Sequence, residues 1–517
     1  MGVQTENQDE IFAFLARPAT YGFADSAKNS IKRIDTHGAV VFLAGPDAYK
    51  VKRAVFFPFM DFSTLEKRRA ACENEIRVNR PNAPEIYLET LPIRRAAGEL
   101  RLGGSIGEIV EWLVHSRRFD DTQTLDKLAA HGGLDVSIAA KLAESVSAAH
   151  ERAPRRDLDT AQRFYRWMSD TLDGLAAAPI FAADEVAALR ASFEAAYAGV
   201  AQLLQKREAQ GKVRLCHGDL HLRNIVLQHD RPVLFDAIEF DDLLATIDIL
   251  YDLAFLLMDF WQRGLRAHAN LLFNRYLWRA PELEQELEGL AALPLFLALR
   301  AAIRARVVAA LSDLAAADHS AEARQFFGAA AGFLQPQKAC LVAVGGLSGT
   351  GKSTLAAALA SGIGHAPGAV HLRSDIERKR LCGAGETENL PQEAYRPDMT
   401  ARVYARLLHL AEIALHAGQS VIVDAVHAKP EERDATAALA RRLGVPFAGL
   451  WLEAPVEILV ARVEARQNDA SDAREAVVRQ QAAWSLGALD WTRLDAGQSL
   501  GLLVEAAQRA LNRPAAG

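Results

Sequence analysis

Two short stretches of this 517-residue chain hold side chains whose types and spacing suit work on phosphate. The first, Gly346-Leu347-Ser348-Gly349-Thr350-Gly351-Lys352-Ser353, fits the phosphate-loop pattern G-x-x-x-x-G-K-[ST]. Its glycines let the backbone wrap close round a triphosphate and aim N–H groups at it, those of Ser348 and Thr350 among them. Lys352 would reach the β- and γ-phosphates, and the Ser353 hydroxyl would bind Mg²⁺. Thr354 follows in a helix whose positive end faces the same phosphates. The plainer alternative is a glycine turn between a strand and a helix. The second stretch is His217-Gly218-Asp219-Leu220-His221-Leu222-Arg223-Asn224. A carboxylate five residues before an asparagine suits phosphoryl transfer: Asp219 would orient a hydroxyl and accept its proton, and Asn224 would hold Mg²⁺. Pro232-Val233-Leu234-Phe235-Asp236 then puts a carboxylate at a strand end, where Asp236 would be the main metal ligand.

The elements that must position the phosphate loop are legible on both sides of it. Cys340-Leu341-Val342-Ala343-Val344 reads as a buried strand. Alternating strand and helix patterns after it predict a parallel sheet with helices on both faces. Val370 to Asp375 would be the second strand, with Asp375 at its end and Arg378 one helical turn later. Strand carboxyl ends face the ligand crevice in such sheets. Asp375 can therefore serve as base or anchor for an acceptor hydroxyl, with Arg378 binding the acceptor; a helix N-cap aspartate beside a surface arginine is the alternative. Ser420-Val421-Ile422-Val423-Asp424 is another buried strand, and Asp424 is the expected Mg²⁺–water carboxylate opposite the loop. Farther on, Arg462 and Arg466 lie four apart on one helical face. They fit a lid that brings arginines to the transferring phosphate. A solvated charged helix is the competing account.

Upstream, residues 31–53 read as three strands, the last being Ala48-Tyr49-Lys50-Val51-Lys52, and a helix from 65 to 80 follows with Glu73 and Glu75. A strand lysine followed by a helix glutamate can hold α/β-phosphates, but both residue types are also common on solvated surfaces. Strand-like runs at 86–93 and 109–119 precede helical patterns at 124–131, 136–150, 160–177 and 183–210. His217 and His221 stand at i and i+4, yet Gly218 and Asp219 argue against a regular helix there, so they are not read as metal ligands. Trp261, Phe273, Tyr276 and Trp278 fall in a helical pattern and are assigned to core packing in preference to an acceptor pocket. The polar Gln335-Pro336-Gln337-Lys338 marks a boundary between a domain of residues 1–335 and one of 336–517.

Composition sets outer limits. The length calls for two or three domains. The net charge of −6 gives no general attraction to nucleic acid or anionic lipid, though a local basic groove is compatible with it. Cys72, Cys216, Cys340 and Cys382 are far apart, with no C-x-x-C, which fits a reducing cytoplasm and argues against structural zinc. No run of about 18 uncharged apolar residues is present, so no membrane span is expected.

HGDLHLRN followed by LFDAIEF resembles the aminoglycoside phosphotransferase and choline kinase branch of the protein-kinase-like fold. That resemblance covers roughly residues 30–330. It implies a bilobal α+β fold with Lys50 as the phosphate lysine and Lys52 as its reserve. Glu75 becomes the helix partner with Glu73 in reserve, and Asp252 becomes the brace of the catalytic loop. GLSGTGKST, SDIERKRL, VIVDAVH and the R-x-x-x-R pair resemble the AAA-type predicted kinases related to zeta toxins, gluconate kinase and polynucleotide kinase. This implies an α/β P-loop fold in which Lys352 and Ser353 bind phosphate and metal, Asp375 is the acceptor base, and Arg466 contacts ATP.

The resulting expectation is a bifunctional ATP- and Mg²⁺-dependent kinase that phosphorylates hydroxyls of small molecules at two sites. The alternatives are one active kinase domain with an ATP-binding regulator, or a nucleic-acid 5′-hydroxyl kinase or toxin-like module. Neither acceptor nor oligomeric state is encoded in a readable way.

Overall fold

The lysine-bearing strand forms as Asp47–Lys52 and runs antiparallel to Ala39–Ala44 on one side and Glu108–Arg117 on the other. A computed structural model of the chain describes residues 3–24, 30–57, 60–314, 319–465 and 470–512. The chain divides into two units, Met1–Thr160 with Glu208–Leu256 and Ala161–Arg207 with Leu257–Gly517. The boundary expected at 335/336 falls inside the second of these.

In the first unit, six antiparallel strands are ordered Lys32–Asp35, Ala39–Ala44, Asp47–Lys52, Glu108–Arg117, Tyr87–Ala96 and Glu99–Leu102. Strand alternation sorts the faces. Val40, Phe42, Tyr49, Val51, Ile93 and Leu113 pack on one side against Ile11, Phe12 and Leu15 of the helix Asp9–Leu15. Each such fully buried apolar side chain contributes roughly 1.5–3 kcal/mol. Lys50 and Lys52 take the opposite side, toward the helix Leu65–Asn79, whose first turn is capped by the Thr64 hydroxyl accepting the Lys67 N–H. Two short antiparallel ladders also belong to the unit: Val213–Leu215 pairs with Thr246–Asp248, and the hairpin strand Ile225–Gln228 pairs with Arg231–Leu234. The strand Glu99–Leu102 escaped the sequence reading because four residues between two glycine-rich turns carry too little period to register.

The second unit holds a five-stranded parallel sheet ordered Val370–Arg373, Val421–Asp424, Leu341–Gly346, Phe447–Glu453 and Thr492–Asp495. Val342 and Val344 face the helices Lys352–Ala360 and Leu500–Leu511, while Ala343 faces the other way with Trp451 and Trp491. The helices Arg266–Arg279, Leu293–Leu314 and Ser320–Phe333 belong to the same unit. Among the described residues no helix is long and apolar enough to cross a membrane.

Candidate active sites

In the first unit, two lysines share one carboxylate. Lys50 Nζ lies 3.0 Å from Glu75 Oε1 and 3.0 Å from Asp236 Oδ1. Lys52 Nζ lies 2.6 Å from Glu75 Oε2 and also pairs with Glu239. Both lysines therefore join the cluster, but they differ in access: the Lys50 side chain is 22% exposed and that of Lys52 1%. Lys50 is the one a ligand could reach. Glu73, the reserve partner, sits on the exposed face of the helix and pairs with Arg69 at 2.8 Å. Burial alone would lower the Lys50 pKa, but Asp236, Glu75 and Glu239 carry it well above the ordinary lysine value. Lys50 in turn is the chief cause that holds the Asp236 carboxyl below its usual range.

The turn that presents Asp236 is strained. Its φ is +60, a left-handed conformation that aspartate tolerates better than most residues. Two contacts hold it there, and the sequence signalled neither: Asp236 N donates to Tyr87 Oη at 3.0 Å, and Ala237 N to Asn79 Oδ1 at 2.8 Å. Asp219 and Asn224 are tied together. Asn224 Nδ2 donates to Asp219 Oδ2 at 2.9 Å and to the Asp219 carbonyl at 3.0 Å, which points the amide oxygen away from the carboxylate. His221 Nε2 lies 3.3 Å from the same Asp219 oxygen. Asp219 stands close enough to Asp236 for its charge to act on that carboxyl.

Asp252 braces this loop from beneath. It is fully buried and accepts N–H groups from Gly218 at 2.9 Å and His217 at 3.2 Å, with His150 Nε2 also at 3.2 Å. Gly218 needs its freedom: φ is +81, and a Cβ there would come within 2.8 Å of Ile238. His217 bonds the Phe235 carbonyl at 3.0 Å and so links the Asp219 loop to the Asp236 strand. His150, Cys216 and Asp252 bring ligand-type atoms within 4.8 Å of one another. Asp252 nevertheless gives both its oxygens to the loop, so the cluster serves as its support. Asn224 and Asp236 supply oxygen donors, one of them held ionised, and that donor chemistry fits Mg²⁺.

In the second unit, the phosphate loop joins the central strand Leu341–Gly346 to the helix Lys352–Ala360. Gly346, Gly349 and Gly351 all have positive φ. Lys352 Nζ donates to the Leu347 carbonyl at 3.1 Å, and the Thr350 hydroxyl donates to the same oxygen at 2.8 Å. Ser348 N donates to Gln481 Oε1 at 2.8 Å, from the helix Glu475–Ala482. Ser353 is half-buried at the helix start and Thr354 is exposed. Asp424 ends its strand beside Val344. Burial pushes the Asp424 carboxyl up, but the His371 hydrogen bond and the charges around it win and hold it far below the usual range. An ionised carboxylate at a strand end and a hydroxyl at the start of the loop's helix are oxygen donors of the kind that suits Mg²⁺.

Two placements differ from expectation. The second strand ends at Arg373, so Asp375 is the second residue of the helix Ser374–Leu381, being neither strand end nor N-cap. A strand cannot continue where the Ser374-Asp375-Ile376 segment turns into helix. Burial raises the Asp375 carboxyl, against the charges of Arg373 and Lys352, which is the direction a base requires. Arg378, read as an acceptor ligand, instead donates to the Ala394 carbonyl at 2.7 Å and stacks 5.0 Å from the Tyr395 ring. It props the segment Gln392–Tyr395. Arg462 is half-buried in the last turn of the helix Val456–Glu464, and Arg466 lies outside the described residues. Beyond them Asp472 ties down the neighbouring segment, accepting from Tyr395 Oη at 2.6 Å and Leu390 N at 3.0 Å and pairing with Lys379 at 3.2 Å.

Residues 114–290 match the Phosphotransferase enzyme family, and residues 341–485 match the AAA domain. Uncharacterized protein Rv2004c of Mycobacterium tuberculosis (strain ATCC 25618 / H37Rv) is 31% identical over 474 residues, covering 88% of this chain and 90% of its own. Adenylyl-sulfate kinase of Myxococcus xanthus is 32% identical over 118 residues, 23% of this chain and 59% of its own. A choline/ethanolamine kinase family protein from Mesorhizobium loti is similar with a TM-score of 0.39 at 16% identity, covering 63% of this chain and 95% of its own. The chain thus belongs to the same family as the mycobacterial protein, and it is a two-domain kinase in which a phosphotransferase-family segment precedes a P-loop segment.

Proposed function

We propose that both sites bind Mg²⁺·ATP and that each passes the γ-phosphoryl group to a hydroxyl of a small molecule. One observation carries the reading: Lys50 bridges Glu75 and Asp236 at 3.0 Å each, beside an Asp219 already tied to Asn224, an arrangement that supports phosphoryl transfer in the first unit while a separate phosphate loop stands in the second. In the first unit, Asp219 takes the proton of the acceptor hydroxyl as its oxygen attacks the γ-phosphorus and the bond to the ADP oxygen breaks. Asn224 and Asp236 would hold the metal, and Lys50 would neutralise the phosphates. In the second unit, Asp375 is the base, Ser353 and Asp424 would hold the metal, and Lys352 follows the transferring group. Magnesium, when bound, offsets charge on the phosphate oxygens. The net charge of −6 supports small acceptors over nucleic acid.

The test is a pair of single variants, Asp219→Ala and Lys352→Ala, assayed for ATP turnover in a metabolite extract with the products identified. Each should abolish one set of products and spare the other. Loss of all turnover in one variant and none in the other would leave a single active domain. That second reading draws on Lys352 resting on the Leu347 carbonyl and on Gln481 occupying the Ser348 amide. Both contacts suit a loop that senses nucleotide by rearranging.

A further inference from the structure

Val370–Arg373 is an edge strand, and an edge strand presents unpaired backbone groups. Here the partners come from side chains of one helix, Arg266–Arg279. Asn270 Nδ2 donates to the carbonyls of Pro367 at 3.1 Å and Ala369 at 3.2 Å. Asn274 Nδ2 also donates to Ala369 O, at 3.1 Å, and its Oδ1 accepts the His371 N–H at 2.7 Å. Trp278 Nε1 donates to the His371 carbonyl at 2.9 Å. Positions 270, 274 and 278 are four apart and so line one face of the helix. The helix lies within the segment that matches the Phosphotransferase enzyme family, yet it docks on the P-loop sheet.

This ladder converges on His371. Its backbone N–H and C=O are both held, its ring meets Trp278 edge-on with centroids 5.7 Å apart, and its Nε2 lies 3.2 Å from Asp424 Oδ2. Arg373 approaches the same Asp424 oxygen at 3.7 Å. His371 and Asp424 are both nearly inaccessible to solvent. An ionised carboxylate can only accept, so the neutral ring donates its Nε2–H.

We propose that His371 is a positioning residue of the P-loop site, fixing the Asp424 carboxylate for magnesium, and that Asn274 and Trp278 of the docked helix fix His371. The inference rests on the reading of Asp424 as the metal carboxylate. It makes a helix from the upstream phosphotransferase segment part of the second site's metal geometry. Hydrogen bonds to metal-bound groups are known to set affinity in this way.

The experiment uses the full chain carrying Asp236→Ala, so that magnesium acts at one site, and titrates MgCl2 against binding of a fluorescent ATP analogue. His371→Phe should raise the half-maximal magnesium concentration about tenfold and leave metal-free nucleotide affinity unchanged. His371→Gln, which keeps a donor, should recover most of the loss. Trp278→Phe should shift the requirement the same way by a smaller factor. Equal magnesium requirements in the parent chain and His371→Phe would overturn the proposal, as would a matching fall in metal-free affinity. If His371→Phe does not fold, Trp278→Phe decides by the same criterion. A parent chain whose nucleotide binding ignores magnesium would instead defeat the reading of Asp424, and this inference with it.

Discussion

Lys50 Nζ stands 3.0 Å from Asp236 Oδ1, so a strand lysine and a carboxylate 186 residues farther along the chain neutralise each other. The pairing is half open to solvent on the Asp236 side and closed on the Glu75 side. A magnesium ion that took Asp236 would release Lys50 toward the phosphates without leaving it uncompensated, because Glu75 would still hold it. Two lysines on one strand face therefore divide the work. Lys50 can change partners, and Lys52, wholly buried between Glu75 and Glu239, cannot.

That division predicts opposite phenotypes. Lys50→Met should leave Glu75 paired with Lys52, fold normally, and lower turnover at the first site by roughly 10²–10³-fold. Lys52→Met should strip one Glu75 oxygen and the largely buried Glu239 of their shared cation and cost about 3–5 kcal/mol of stability. Thermal melts alongside turnover in a Lys352→Ala background separate the two. A Lys50→Met chain that melts as early as Lys52→Met would contradict the assignment.

Asp252 makes a second prediction. Its carboxylate collects two backbone N–H groups and His150 in a site closed to water. Asp252→Ala orphans those donors, each at a cost of about 1–3 kcal/mol. Stability should fall and first-site products should vanish, while products that depend on Lys352 persist in any folded fraction. Asp252→Asn should be milder in stability and nearly as poor in turnover, since an NH2 group would face one of the loop amides.

Much of both sites was readable because their chemistry is local. Asp219 and Asn224 sit in one loop, and Lys352 and Ser353 in another, so spacing alone announced them. Partners brought together from afar were not readable. Nothing in sequence separates Glu75 from Glu73; what separates them is that one faces the strand lysines and the other faces water. Tyr87 and Asn79 look like ordinary strand and helix residues until Asp236 turns into the left-handed region beside them. Helical spacing assigns Trp261, Phe273, Tyr276 and Trp278 to the core; Phe273 and Tyr276 are buried, whereas Trp261 and Trp278 are half-buried and the Trp278 indole N–H serves the sheet edge. A side chain that closes another element's hydrogen bonds has no signature of its own.

Acid should weaken the second unit in a way traceable to His427. Its ring is wholly buried between Tyr404 and Trp491, with ring centroids 5.5 and 5.0 Å away, and burial lowers its pKa to about 3. The unfolded chain has an ordinary histidine near 6.5. Between those values the unfolded state binds the proton and the folded state does not, so stability is complete above about pH 6.5 and drains away as the pH falls toward 3. At about pH 5 the loss from this one group is about 2 kcal/mol. His427→Phe keeps a ring between the two aromatics and carries no proton. Urea unfolding at neutral and acid pH should show the variant losing about 2 kcal/mol less than the parent over that interval. Equal losses would mean that His427 ionises in place.

The phosphate loop offers a sharper ordering, because two of its glycines are constrained for different reasons. Gly349 has φ +89, and a Cβ there would meet the Leu459 backbone, with its carbonyl oxygen at 2.6 Å. Gly351 has φ +86, but a Cβ there would meet nothing within 4 Å. Gly351→Ala therefore pays only for an unfavourable backbone conformation, about 1–2 kcal/mol. Its methyl group would occupy open space at the very start of the helix that carries Lys352, so nucleotide affinity should suffer more than folding. Gly349→Ala pays the same conformational cost and must also push the loop off the helix Val456–Glu464, whose Leu459 backbone cannot give way as a flexible side chain would. It should melt earlier than Gly351→Ala. Side-by-side melts and nucleotide titrations of the two variants check this. If Gly351→Ala proved the less stable, the loop would be shaped by contacts other than those between Gly349 and Leu459.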